Sequence, residues 1–325
     1  MIRVSRLRRQ PHLFRNFTGL SPEEFDLLLS EFTPRYEASL IHKKTRPDRQ
    51  RAVGAGRHFH LAVPERLLMC LIYLRMYVNQ RLLSFLFDLD QSNVCREINQ
   101  RLLPILLTVL PVPLRDAPLR NLSDSSSENE DEPPTGGKRR IRTLEELLRL
   151  HPEIKEVLVD ATEQAVPQPE DKARRKQAYS GKQHDHTIKT QIVATKDRIL
   201  HVFGGLPGCL HDQLVLGASG IMRQIAKGVT VRVDKGYAGT DTRYKDVSVA
   251  MPLKRVCRHQ LTWLGRAYNH MLSVLRIPVE HHFARLQTFG ILSQEYRGMQ
   301  ATHEDIFCVI AGLLNFRASG GFAIG

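Results

Sequence analysis

The chain has 325 residues, 42% of them hydrophobic, and carries 47 Lys+Arg against 34 Asp+Glu, a formal net charge of +13. That size allows two domains with cores of their own, and the basic balance favours a polyanionic partner through counterion release. The longest apolar region, 67–78, is interrupted by Arg75 and falls well short of the roughly 20 apolar residues of a membrane span, so no membrane partner is expected.

The start, MIRVSRLRRQ, is basic but lacks the apolar stretch of a secretory signal. Cys70, Cys95, Cys209, Cys257 and Cys308 show no CxxC spacing, which excludes a zinc ribbon or a disulfide framework and suits a reducing compartment. A soluble intracellular protein is expected.

SPEEFDLLLSEF opens with Ser21 as N-cap, Pro22 at the first helical position and acids in the first turn, which predicts a helix. The cationic stretch HKKTRPDRQRAVGAGRH follows; its glycines form no phosphate-binding motif, and it either lies along a DNA backbone or forms a surface loop. Residues 64–103 read as three short amphipathic helices joined by tight turns, a helix-turn-helix, with Ser92 expected to cap the third. Asn93, Arg96 and Asn99 then face a major groove, where Arg reads guanine and Asn reads adenine; the alternative is a three-helix packing domain with solvated polar faces. Over residues 1–122 there are 19 Lys+Arg and 11 Asp+Glu, 19 − 11 = +8 of the net charge.

Residues 123–137, SDSSSENEDEPPTGG, hold no large apolar side chain and cannot offset their ordering entropy by burial. With the basic KRRIR after them they form an expected linker, 123–142, between a helical domain (1–122) and a mixed domain (143–325). In the latter, TLEELLRLHPEI predicts a helix; EVLVD, IKTQIVAT, RILHVFGG and VTVRVD predict strands; HDQLVLGASGIMRQIA, TWLGRAYNHMLSVL, PVEHHFARLQTF and EDIFCVIAGLLNF predict further helices.

Three carboxylates stand out. Asp160 and Asp234 end the β-branched runs Val157–Val159 and Val229–Val233, so both are expected at strand tips, and Glu280 lies in a helical pattern with Val279, Phe283, Leu286 and Phe289. Oxygen ligands converging from strand, strand and helix suit a hard divalent cation. Two such ions about 4 Å apart can activate the attacking oxygen and stabilise the leaving one in phosphoryl transfer.

These residues resemble the DDE transposases of bacterial insertion sequences, in particular the insertion sequence five family and its Harbinger-type eukaryotic relatives. The resemblance runs through FTGLSPEEFDLLL, YSGKQHDHTIKTQIV, GGLPGCLHDQ, DKGYAG, VEHHF and LLNFR, with Arg276 four residues before Glu280. It implies a ribonuclease-H-like catalytic fold after a helix-turn-helix domain, an α+β chain overall. It implies Asp160, Asp234 and Glu280 as a triad for two Mg²⁺ or Mn²⁺ ions. The separations, 234 − 160 = 74 and 280 − 234 = 46 residues, leave no room for a large domain inserted before the Glu.

The implied activity is DNA cleavage at the ends of a mobile element followed by strand transfer into target DNA. The partner is double-stranded DNA, bound by a homo-oligomer in the cytoplasm or nucleoid, or in the nucleus of a eukaryote. Asp212, in the His-Asp pair of the same family pattern, is the candidate fourth acid, although an Asp opening a helix is also favoured by the helix dipole. Lys182, Lys235, Tyr237, Arg276 and Arg285 are candidate DNA-backbone contacts, Lys182 having a solvated hairpin lysine as its alternative. His281 and His282 are expected in DNA contact or packing. Relatives often carry a Lys seven residues after the Glu and a Tyr seven before it; Gln287 and Ser273 stand there. The competing readings are a decayed transposase that only binds DNA and a nuclease without strand transfer. A serine or tyrosine recombinase would need a nucleophile in an Arg-rich surround, and none is seen.

Overall fold

The structure, a computed structural model, describes residues 2–44, 61–115, 141–254 and 260–322. Most of the cationic stretch after residue 44 and most of the expected linker 123–142 lie outside the described residues.

The first half is helical: α1 (Val4–Arg8), α2 (Pro11–Thr18), α3 (Pro22–Lys44), α4 (Val63–Met76), α5 (Gln80–Phe87), α6 (Gln91–Glu97) and α7 (Leu103–Val109), the last two joined by a π turn over Ile98–Leu102. Ser21 caps α3 reciprocally: its Oγ accepts from the Glu24 amide at 3.2 Å and the Glu24 carboxylate accepts from the Ser21 amide at 2.7 Å. Helix α4 is buried over the continuous run Arg66–Ile72, as expected of a central helix surrounded by others. Glu97 fixes the rear of α6. It accepts from Tyr36 Oη at 2.6 Å and pairs with Arg66 and Arg101, each at 2.7 Å. The expected cap of α6 needs correction: Asp90 is the N-cap residue and Ser92 lies inside the first turn, because the chain turns through Asp88 in the left-handed region two residues earlier.

The second half is built on a mixed sheet. Strands β1 (Glu156–Ala165), β2 (Tyr179–Ser180), β3 (Asp185–Ala194), β4 (Ile199–Pro207), β5 (Thr230–Arg232) and β6 (Ser248–Ala250) are its members. β1, β3 and β4 form an antiparallel meander, while β5 and then β6 add in parallel on the other side of β1. This order, three antiparallel strands extended by two parallel ones, is a ribonuclease-H-like sheet. β3 is buried along Thr187–Ala194, as a central strand covered on both faces must be. The remaining helices are α8 (Leu144–Leu150), α9 (Lys172–Ala178), α10 (Asp212–Ala218), α11 (Thr240–Arg243), α12 (Trp263–Gln287), α13 (Gly290–Ser293) and α14 (His303–Ala318).

Two helix boundaries differ from expectation. The stretch 211–226 is not one helix: α10 stops at Ala218, Gly220 takes φ +63°, and a short 3₁₀ turn follows at Ile221–Arg223. Conversely, the two segments flanking Pro278 are one helix, α12; its packing outweighs the backbone hydrogen bond that proline cannot donate.

The two halves share a core. Leu67, Leu103 and Ile105 from the helices cluster with Leu158, Ile192 and the apolar side of α14. Asn315 of α14 clamps the junction, donating to the carbonyls of Pro111 and Ile199 and accepting from the Ile199 amide. Leu114 forms a parallel bridge beside β4, its amide on the Leu200 carbonyl and its carbonyl on the Val202 amide. None of the described helices is long and apolar enough to cross a membrane.

Candidate active site

Asp160 is not at a strand tip, as the β-branched run suggested, but in mid-strand, β1 continuing to Ala165. What ends beside it is β5. The parallel register pairs Leu158 with Arg232, and two residues further along each chain bring Asp160 and Asp234 level. Asp234 is the N-cap residue of a 3₁₀ turn over Lys235–Tyr237, so it leaves the sheet just where β5 stops.

Helix α12 crosses this point with Leu272, Val279 and Leu286 buried, a seven-residue spacing that keeps one face inward. Arg276 lies at the rim of that face and reaches both acids: Nη2 donates to Asp160 Oδ2 and Nη1 to Asp234 Oδ1, each at 2.9 Å. Burial raises the Asp160 pKa, opposed by the Ala161 amide and Arg276, while the neighbouring Asp234 charge adds to the rise. Glu280 is one turn beyond Arg276 and exposed. Among the described residues no three His, Cys, Asp or Glu side chains stand close enough to hold a metal ion together; the structure brings Asp160 and Asp234 together and leaves Glu280 apart from them, on α12 one turn beyond Arg276. Two carboxylates that already share one cation form a donor pair that fits a divalent ion.

A second charged cluster, which sequence reasoning missed, lies behind the first. Lys189, in the buried part of β3, donates to the Leu210 carbonyl at 2.6 Å and pairs with Asp212 at 2.9 Å and Glu163 at 3.2 Å. Glu163 also accepts from Thr187 Oγ1 at 2.8 Å. Burial alone would lower the Lys189 pKa, but the hydrogen bonds and charges of Asp212 and Glu163 outweigh it and raise it. The signal available in the sequence was a lysine inside the expected strand IKTQIVAT. Asp212, the first residue of α10, thus sits near the acids, its Oδ2 only 3.0 Å from where a Cβ on Gly236 would lie. A side chain at Gly236, two residues after Asp234, would push against Asp212.

Tyr237 is fully buried and is not a backbone contact as the sequence suggested. Its hydroxyl has no hydrogen-bond partner, and burial together with the charges of Asp160, Asp212 and Asp234 raises its pKa well above the usual phenol value. His282 is buried and packs inward with Nε2 on the Thr195 carbonyl at 3.0 Å, whereas His281 is exposed. Lys182, Lys235, Arg285, Gln287 and Ser273 are exposed. On α6, Asn93 and Arg96 are exposed and paired to each other at 2.9 Å. Asn99 is half-buried and turns back onto the Cys95 carbonyl at 3.0 Å.

Residues 159–315, which contain all three acids, match the family described as DDE superfamily endonuclease. Residues 59–111 match the helix-turn-helix of DDE superfamily endonuclease. A probable transposase for insertion sequence element IS702 from Microchaete diplosiphon is 26% identical over 304 residues, 93% of each chain. Among solved structures, the Mos1 transposase paired-end complex with left transposon end aligns over 91% of this chain and 95% of its own, at 10% identity and a TM-score of 0.25. The Mos1 mariner paired end complex with Mn aligns over 88% and 84% with the same identity and score. Those two superpositions are too loose to bear on the site. The chain belongs to the DDE superfamily endonucleases, among transposases of the insertion sequence five type.

Proposed function

We propose that the chain is a transposase that binds the ends of its own mobile element and, with a divalent metal, cleaves DNA there and joins the freed 3′ end to target DNA. The observation that carries this reading is the shared guanidinium: two acids 74 residues apart in sequence (234 − 160) meet at 2.9 Å on one cation, one helical turn from a third acid. Asp160, Asp234 and Glu280 would hold two Mg²⁺ or Mn²⁺ ions, which when bound polarise the scissile phosphate and lower the pKa of the attacking water.

The chain's own residues do the rest. Asp160 supplies a fixed oxygen donor from a sheet that cannot shift without breaking its register, Asp234 supplies a second from the turn just past β5, and Glu280 closes the site from α12. Lys189 and Glu163 hold Asp212 against the Gly236 turn and so keep Asp234 in place. Lys182, Lys235 and Arg285, all exposed, would contact the phosphate backbone. Residues 1–122, with Asn93 and Arg96 outward on α6, read the end sequence and residues 143–325 catalyse, joined by 123–142. The protein works as a homo-oligomer on DNA, in the cytoplasm or nucleoid of a bacterial host or in the nucleus of a eukaryotic one.

The test is incubation with duplexes carrying the element's ends, with and without Mn²⁺. Metal-dependent nicking and strand joining are expected, and Ala at Asp160, Asp234 or Glu280 should abolish both while leaving end binding intact. Retained cleavage in Asp234→Ala would overturn the assignment.

A further inference from the structure

Arg276 is joined to the same oxygens that a metal ion would need. Asp160 Oδ2 and Asp234 Oδ1 are each 2.9 Å from one guanidinium, whereas Mg²⁺ binds carboxylate oxygen at about 2.0–2.1 Å. One lone-pair direction on each facing oxygen cannot serve both, and a guanidinium at that place would be repelled by a divalent charge in a poorly hydrated site. The side chain of Arg276 is only 15% exposed, close to the 19% of Asp160 and well below the 44% of Asp234, so the cation is buried level with Asp160 and below Asp234.

We infer that Arg276 is a built-in competitor for the metal: it neutralises Asp160 and Asp234 in the metal-free protein, and metal loading drives its guanidinium off the carboxylates towards a DNA phosphate. This rests on the metal-site reading above. Three features of the site support the exchange. The two charge-assisted bonds give the metal-free pair a partner, so the acids need not repel one another. Arg276 and Glu280 are four residues apart on α12, about 40° around the helix axis, so the space that Arg276 leaves opens towards Glu280. A planar guanidinium is also suited to bidentate contact with phosphate, and Arg276 lies on the half-buried rim of α12 with exposed Ser273 and Glu280 about one turn to either side. Arg276 is therefore a positioning residue. It lowers the apparent metal affinity of the free protein by the fraction of molecules in which it stays bound. Because metal and DNA both favour the released arginine, each should tighten the other's binding.

The experiment is a Mn²⁺ titration of the full chain without DNA, followed by the electron paramagnetic resonance signal of free Mn²⁺, with thermal unfolding run in parallel. Arg276→Gln should bind Mn²⁺ about tenfold more tightly than the wild type, and Mn²⁺ should raise its unfolding midpoint by more. Arg276→Lys, which keeps the charge but loses the fork, should lie between them and serves if the Gln variant does not fold. Affinity equal to or weaker than wild type in the variants overturns the competition. The double variant Asp160→Asn with Asp234→Asn separates the two readings: undiminished Mn²⁺ binding there means that the metal-site reading has failed, whatever Arg276 does.

Discussion

Asp160 and Asp234 are neighbours because β5 is shorter than β1: the register that pairs Leu158 with Arg232 runs on for two residues after the ladder ends. The acids are thus placed by sheet topology, and the helix contributes only the residues that meet them. Where the supporting charges are buried, the site should be sensitive to residues that never touch DNA.

Lys189 is the clearest case. Its side chain is 6% exposed and that of Glu163 5%. Lys189→Met would leave two acids without their buried counter-charge, and breaking such a pair costs about 3–5 kcal/mol. Urea unfolding at pH 7 should show that loss.

His303 should make the fold acid-sensitive. Burial lowers its pKa to about 4, and its neutral ring faces Gln164 Oε1 through Nε2 at 2.8 Å. The folded pKa lies below the unfolded value, so the unfolded chain takes up the proton first. Stability should therefore fall as the pH drops below about 6.5 and level off near 4, by about 3 kcal/mol in all. In His303→Gln this part of the pH dependence should vanish from urea titrations run across that window.

Arg96 tests the DNA-reading face. Its guanidinium and the Asn93 amide are exposed together on α6. Competition binding with end duplexes varied one base pair at a time should show Arg96→Ala losing about 1–3 kcal/mol of discrimination at a single position. A uniform loss over all positions would mean a phosphate contact.

Much of this arrangement could be read from the chain. The β-branched runs before Asp160 and Asp234, the helical spacing around Glu280 and the capping signals at Ser21 each reflect a local rule, and the order of elements followed from them. What could not be read depended on partners far apart in sequence. The length of β1 is set by its pairing with β3, so the run Val157–Val159 marked only its first half. Pro278 signals a helix end by local rules, yet α12 runs through it, with Val279 and Leu286 beyond the proline held in the core. Lys189 could be seen as an oddity in a buried strand, but its partners Glu163 and Asp212, 26 and 23 residues away, are found only in three dimensions.

The most direct measurement of the central claim is metal-specific rescue. Asp160→Cys, Asp234→Cys and Glu280→Cys replace a hard oxygen donor with a soft thiolate, which Mn²⁺ tolerates better than Mg²⁺. Cleavage of a labelled end duplex is predicted to be lost in Mg²⁺ and partly restored in Mn²⁺ for each variant. Undiminished cleavage in Mg²⁺, or equal loss in both metals at all three positions, would contradict direct metal ligation by these acids.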